Sequence, residues 1–134
     1  MLAIGLNPIL NVSDMQASFA WFEKLGWSKV WDWGDPPTFA AVGSGECEIF
    51  LCQGGQGARG GSMPREPWDN QAGSTWMTWW LHSPADVDEV YALALRLGIV
   101  APWPPTDMPW NVRECHIRHP DGHMIRVSAR LEDE

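Results

Sequence analysis

Apolar residues recur at helical spacing in two places along the chain. In residues 15–27, MQASFAWFEKLGW, Met15, Phe19, Phe22 and Leu25 fall every three or four positions, and Gly26 follows where a C-cap residue belongs. Asp14, just before, has the short acceptor side chain of an N-cap. In residues 87–99, VDEVYALALRLGI, the stripe is Val87, Val90, Tyr91, Ala94 and Leu97, opened by Asp86 and closed by Gly98. Asp14 and Asp86, Phe19 and Tyr91, Leu25 and Leu97, and Gly26 and Gly98 are each 72 positions apart (86−14, 91−19, 97−25, 98−26).

The pattern around the helices repeats as well. LNPILNV (6–12) and STWMTWWLH (74–82) read as strands ahead of each helix, with residues 83–85 inserted before the second. After the first helix, WSKVWDW, TFAAVGSG and ECEIFLC read as strands, with turns at 34–37 and 43–45. After the second, VRECHIRH and HMIRVSA form a hairpin across Pro120, Asp121 and Gly122, behind an irregular Pro-rich stretch at 102–109. The prediction is an α+β chain of two tandem βαβββ modules, 1–56 and 74–134. The Gly-rich segment 57–73 is expected to be a linker and a cover over a site. A phosphate loop would need a helix directly after the glycines and a Lys or Ser/Thr in set order, and neither follows.

With 134 residues, 45% of them hydrophobic, the chain suits one domain or two small modules sharing a core. Its net charge of −8 argues against nucleic acid and anionic membrane, and for neutral or cationic partners. No apolar run reaches the roughly 20 residues of a bilayer span, so no membrane partner is expected. Three cysteines and an N-terminus without a leader pattern point to a reducing cytoplasm.

Ten tryptophans change the picture more than the charge does. Trp21, Trp27 and Trp79 suit the core, and the remainder are candidates to line a site where flat faces stack on a flat ligand. On residues 74–82 the alternation sends Trp76, Thr78, Trp80 and His82 to one face and Met77, Trp79 and Leu81 to the other.

A repeated strand, helix and strands unit, with V-x-D before the first helix, L-G-aromatic after it, and the hairpin R-E-x-x-x-R-x-P-D-G at 113–122, resembles the vicinal oxygen chelate superfamily. That family includes glyoxalase I, extradiol dioxygenases, and fosfomycin and bleomycin resistance proteins. The resemblance implies curved mixed sheets enclosing a cavity, with metal ligands, where a member has them, on the concave face. The corresponding positions here are Asn7, Thr78, Glu48 (or Phe50 on the same face) and Arg126. Two weak donors, one carboxylate and a fixed cation do not make a divalent site, so no metal and no cofactor is expected, and an ion pair of Glu48 with Arg126 is expected instead.

In this respect the chain is similar to bleomycin resistance proteins, which bind a drug without altering it. The resemblance places Phe39 and Trp110 as the aromatic clamp and implies a homodimer. Trp31 and Trp33 either extend the clamp or form a dimer contact. Asp32, Asp35, Glu46, Glu48, Asp107 and Glu114 set a negative potential or are ordinary solvated charge. The expected function is metal-independent sequestration of a flat aromatic, cationic antibiotic or natural product. The alternative is a lyase, isomerase or hydrolase using Glu48 as acid and base.

Cys115, His116, His119 and His123 crowd nine positions without forming a metal or nucleophile motif. On a strand Cys115 and His119 share one face, His116 takes the other, and His123 lies past the turn. These histidines are read as surface or hairpin-packing residues, and the cysteines as buried and inert.

Overall fold

The computed structural model describes residues 1–54 and 75–131. The glycine-rich segment from 57 to 73 therefore lies outside the described residues. The chain divides into two units, Met1–Gly73 and Ser74–Glu134.

In the first unit, β1 (Ile9–Val12) leads to α1 (Met15–Lys24), then β2 (Ser28–Trp33), β3 (Phe39–Ser44) and β4 (Cys47–Gln53). The sheet order is β1-β4-β3-β2; β1 runs parallel to β4 and the other pairs are antiparallel. In the second unit, β5 (Trp76–Trp80) leads to α2 (Pro84–Arg96), then β6 (Trp103–Met108), β7 (Val112–Arg118) and β8 (Met124–Arg130). Its order, β5-β8-β7-β6, repeats the first with the same directions. The expected tandem α+β modules are thus present, and each sheet is open, with β1 and β2, or β5 and β6, at its edges.

Alternation along the strands divides each sheet into a helix-covered face and an open one. In the first unit Leu10, Val12, Ala40, Val42, Ile49 and Leu51 are almost fully buried, as are Phe19 and Phe22 of α1. Trp21 and Trp27 stack edge-on against Phe22 at 5.0 and 5.8 Å, which makes both indoles core. In the second unit Ile117, Ile125, Val127, Ala129 and Cys115 lie at zero exposure beside Val87 and Ala94 of α2. Trp79, in register with Val127, is on this covered side, as the alternation predicted.

The helix starts follow their capping chemistry. Asp14 accepts a hydrogen bond from the Ala17 N–H and caps α1 as predicted. For α2 the cap is Ser83, not Asp86: the Ser83 side chain accepts from the Asp86 N–H and Pro84 takes the first helical position. Ser followed by Pro is a stronger start than Asp three residues later, because proline has no N–H to orphan and Asp86 then complements the dipole from within the first turn. The inserted residues therefore lengthen the helix, from the 10 residues of α1 to 13. Leu97, assigned to the buried stripe, is the exposed C-cap.

Two stretches differ from expectation in ways that matter for the site. Residues 103–108, read as irregular, form the edge strand β6, with a register shift between Trp103 and Thr106. Pro104 and Pro105 fall inside that shift, where missing N–H groups break no ladder bond. Gly43, read as a turn residue, lies within β3; a Cβ there would come 2.7 Å from Val30 Cγ2, so the crossing of Val30 over β3 requires glycine. Among the described residues no helix is long and apolar enough to cross a membrane.

Candidate functional site

The open face of the second sheet holds the densest polar and aromatic cluster. Register places Thr78 beside Arg126 and Trp80 beside Ser128 from β5 to β8, and continues to His116 and Glu114 on β7. From there β6 supplies Trp103 beside His116 and Thr106 beside Glu114. Glu114 is only 2% exposed, yet it is charged and paired. Arg126 Nη2 donates to Glu114 Oε1 at 2.8 Å and Arg126 Nε to Oε2 at 3.3 Å. His116 Nε2 lies 2.9 Å from Oε2, and since an ionised carboxylate only accepts, that nitrogen carries the proton. Burial on its own pushes the Glu114 carboxyl up; the hydrogen bonds from Arg126 and then His116 outweigh it and hold the group below the ordinary carboxylate range.

Indoles ring this triad. Trp76 meets the His116 ring edge-on at 5.4 Å, and Trp103 lies against its other side at 6.1 Å. Trp110 sits under the Arg126 guanidinium at 6.0 Å, and Trp80 under that of Arg130 at 5.9 Å. A turn closed by the Asn111 N–H to the Met108 carbonyl carries Trp110 there, with Asn111 in the left-handed conformation asparagine tolerates. Trp76, Trp80, Trp103 and Trp110 remain 56%, 60%, 43% and 55% exposed. Four half-exposed indoles on one sheet face form an apolar patch of the kind that marks a binding surface.

Several predicted residues meet here: Arg126, Trp110, Trp76, Thr78 and Trp80. Others do not. The ion pair expected between Arg126 and Glu48 is replaced by the pair with Glu114, which is two strand positions from His116 on the same sheet and needs no distant partner. Trp103 joins the site because 103–108 is a strand, which the prolines conceal in the sequence, and His116 joins it as the partner of Glu114 rather than as a surface or hairpin residue. The signal was present in the alternation of Glu114 and His116 on β7, which fixes their common face.

The first unit has its own aromatic group on its open face. Trp31, Phe39 and Phe50 enclose one another at 5.3 to 5.7 Å. Phe39 is therefore half-buried against neighbouring rings, while Trp33 beside it is 64% exposed. Asn7 lies ahead of β1 rather than on it, and its amide donates to the Glu48 backbone carbonyl at 3.0 Å. Glu48 makes no ion pair among the described residues. Of the other carboxylates considered, Asp32 pairs with Lys29 and Asp107 with Arg113, which also reaches Asp88.

The histidine crowd resolves into hairpin packing. His119 and His123 flank the β7–β8 turn, both buried, with ring centroids 5.3 Å apart. His119 Nδ1 accepts from the Asp121 N–H, and His123 Nδ1 from the Thr75 N–H. Burial, then the neighbouring His123, lowers the His119 pKa to about 4 against the opposing pull of Asp121. Cys115 points to the Val87 carbonyl on the covered face, and burial pushes its thiol up to about 12, far from a nucleophile's range. Cys52 is buried as well, but Cys47, at the start of β4, is exposed.

The four positions at which the fold family carries metal ligands do not fit a divalent ion. Arg126 is a cation committed to Glu114, Asn7 turns its amide donor to a backbone carbonyl, and Thr78 is a weak neutral donor. Among the described residues no three His, Cys, Asp or Glu side chains converge on one point.

The comparisons bear on the fold more than on the ligand. A glyoxalase/bleomycin resistance protein/dioxygenase from Nocardioides is 25% identical, over 100% of this chain and 89% of that one, with a TM-score of 0.73. TioX from Micromonospora sp. ML1 is 17% identical over 96% of this chain and 100% of that one, at 0.75. Lactoylglutathione lyase from Agrobacterium tumefaciens is 18% identical over 96% and 94%, at 0.74. The last two likenesses are of fold alone. No curated protein matches the sequence. The Glyoxalase/Bleomycin resistance protein/Dioxygenase superfamily matches residues 5–127, nearly the whole chain with its two repeats, and the chain belongs to that superfamily.

Proposed function

We propose that the protein binds and sequesters a flat aromatic natural product or antibiotic, without metal and without altering it. The observation that carries this reading is the set of four half-exposed indoles around the paired Glu114–Arg126–His116 group, whose carboxylate is buried. Stacking contributes about 0.5–1.5 kcal/mol per aromatic pair beyond burial, so two or three indoles supply useful affinity with no reactive group. The polar residues at the centre are tied to one another, which suits a rigid floor better than proton transfer. Within the superfamily this is the bleomycin resistance type of activity, as distinct from the metal-dependent lyases and dioxygenases.

The test is quenching of tryptophan fluorescence by bleomycin and other planar antibiotics, followed by mass spectrometry of the recovered ligand. Trp103→Ala and Trp110→Ala should each weaken binding by about three- to tenfold, the equivalent of one stacking contact. The ligand should be recovered intact. Turnover that Glu48→Gln abolishes would overturn sequestration in favour of the acid–base enzyme.

A further inference from the structure

The charge on the open face of the second sheet is opposite in sign to that of the chain. By alternation and register its strands carry Arg118, Arg126 and Arg130 and one carboxylate, Glu114. That is three positive groups against one negative, in a chain whose net charge is −8. Two carboxylates of neighbouring elements, Asp107 and Asp88, bond Arg113 on the covered side instead.

The same patch holds hydrogen-bonding capacity that the chain leaves unused. Arg126 uses Nε and Nη2 on Glu114, while its Nη1 has no partner among the described residues, and its side chain is 35% exposed beside Trp110. The two bonds to Glu114 fix the guanidinium plane and so aim the remaining edge. Thr78, in register with Arg126 and about 5 Å away as strand neighbours are, has a hydroxyl without a partner among the described residues. Two positions along β8 from Arg126, the Ser128 hydroxyl is buried with no hydrogen-bond partner among the described residues, a condition that native side chains rarely leave unfilled.

We propose that the ligand of this face is a planar aromatic acid, its ring among the indoles of Trp76, Trp103 and Trp110 and its anionic group on Arg126 and Thr78. The inference rests on the reading of this face as an aromatic-ligand site and narrows its ligand class. The overall acidity of the chain favours cations at a distance, but screening confines that effect to about 8–10 Å at ordinary ionic strength, and contact specificity is set by the local arginines.

The experiment compares 2-naphthoate, 2-naphthamide and 2-naphthylmethylammonium by tryptophan quenching and titration calorimetry on the full chain. The three share a ring and differ in charge. The acid is expected to bind at least about tenfold more tightly than the amide, as one charge-assisted hydrogen bond implies, and the ammonium most weakly. Arg126→Gln should bring the acid-to-amide ratio close to one. Thr78→Val, which leaves the Glu114 pair intact, should reduce the ratio about threefold and covers the case in which Arg126→Gln does not fold. Equal or weaker binding of the acid, or a ratio that survives in both folded variants, overturns the inference while leaving the aromatic site standing. Binding of none of the three overturns both.

Discussion

Acidification offers a sharp test of the hairpin that closes the second sheet. His119 is 2% exposed, its Nδ1 already accepts from the Asp121 N–H, and His123 stands 5.3 Å away. The Asp121 carboxylate, 3.7 Å off, favours a positive imidazole there. Burial first and His123 second therefore lower its pKa from 6.5 to about 4. Between those values the unfolded chain binds a proton that the folded chain refuses, so stability falls as pH falls from 6.5 to 4 and is unaffected by this group above and below that window. The full drop corresponds to roughly 3 kcal/mol, and about 2 kcal/mol of it is lost between pH 7 and pH 5. Urea denaturation at a series of pH values measures this directly. His119→Asn keeps an acceptor for the Asp121 N–H and cannot titrate. That variant is less stable at neutral pH because the ring's volume is lost, but its stability should be nearly flat from pH 7 to 5. Glu114 does not confuse the result: its pKa is held below 4.5, so its contribution disappears only at lower pH. A wild-type curve that is flat across this interval, or a variant that loses as much as the wild type, would refute the burial argument.

Three other outcomes follow from individual contacts. Ser83→Ala should cost about 1 kcal/mol in urea denaturation, because it removes the acceptor of the Asp86 N–H at the start of α2, whereas Asp86→Asn should cost less. Glu114→Gln should destabilise by about 2 kcal/mol, because the amide keeps one accepting oxygen where the carboxylate takes three bonds and Arg126 loses its counter-charge, and an unchanged unfolding midpoint would contradict the pairing. Thiol titration of the native protein should give one fast group, Cys47, with Cys52 and Cys115 reacting only on unfolding, and fast modification of two or more would contradict their burial.

The repeat was legible because it rests on features read within a few residues. Helical spacing, Asp14 as cap, and Gly26 and Gly98 at positive φ are local chemistry, and they carried the tandem topology. What was not legible depended on strand register. Proline at 104 and 105 suppresses every sequence signal for a strand, although an edge strand with a register shift tolerates both. Without β6 there was no reason to bring Trp103 beside His116 or Thr106 beside Glu114. Asn7 failed for a related reason: counting back from Asp14 gives a position, but not whether the strand extends that far, and β1 begins at Ile9. The choice of Glu48 as the partner of Arg126 followed from matching charges by slot, whereas a carboxylate on the adjacent strand of the same sheet reaches Arg126 with no long-range requirement.

The same distinction governs the ligand. Net charge is a sum, and a sum carries no information about which face the charges occupy. With 17 acidic residues against 9 basic ones, the composition favours a cationic partner. Strand alternation then sorts those residues, sending Arg113 and Asp107 to the helix-covered side, where Asp107 and Asp88 of α2 bond Arg113, and leaving Arg126 and Arg130 among the indoles on the other. Each of these arginines lies over an indole, the arrangement that keeps a guanidinium accessible at its edge while its face is covered. A flat cation entering this face would meet the charge of both arginines. A flat anion would find the remaining edge of Arg126 already oriented by Glu114.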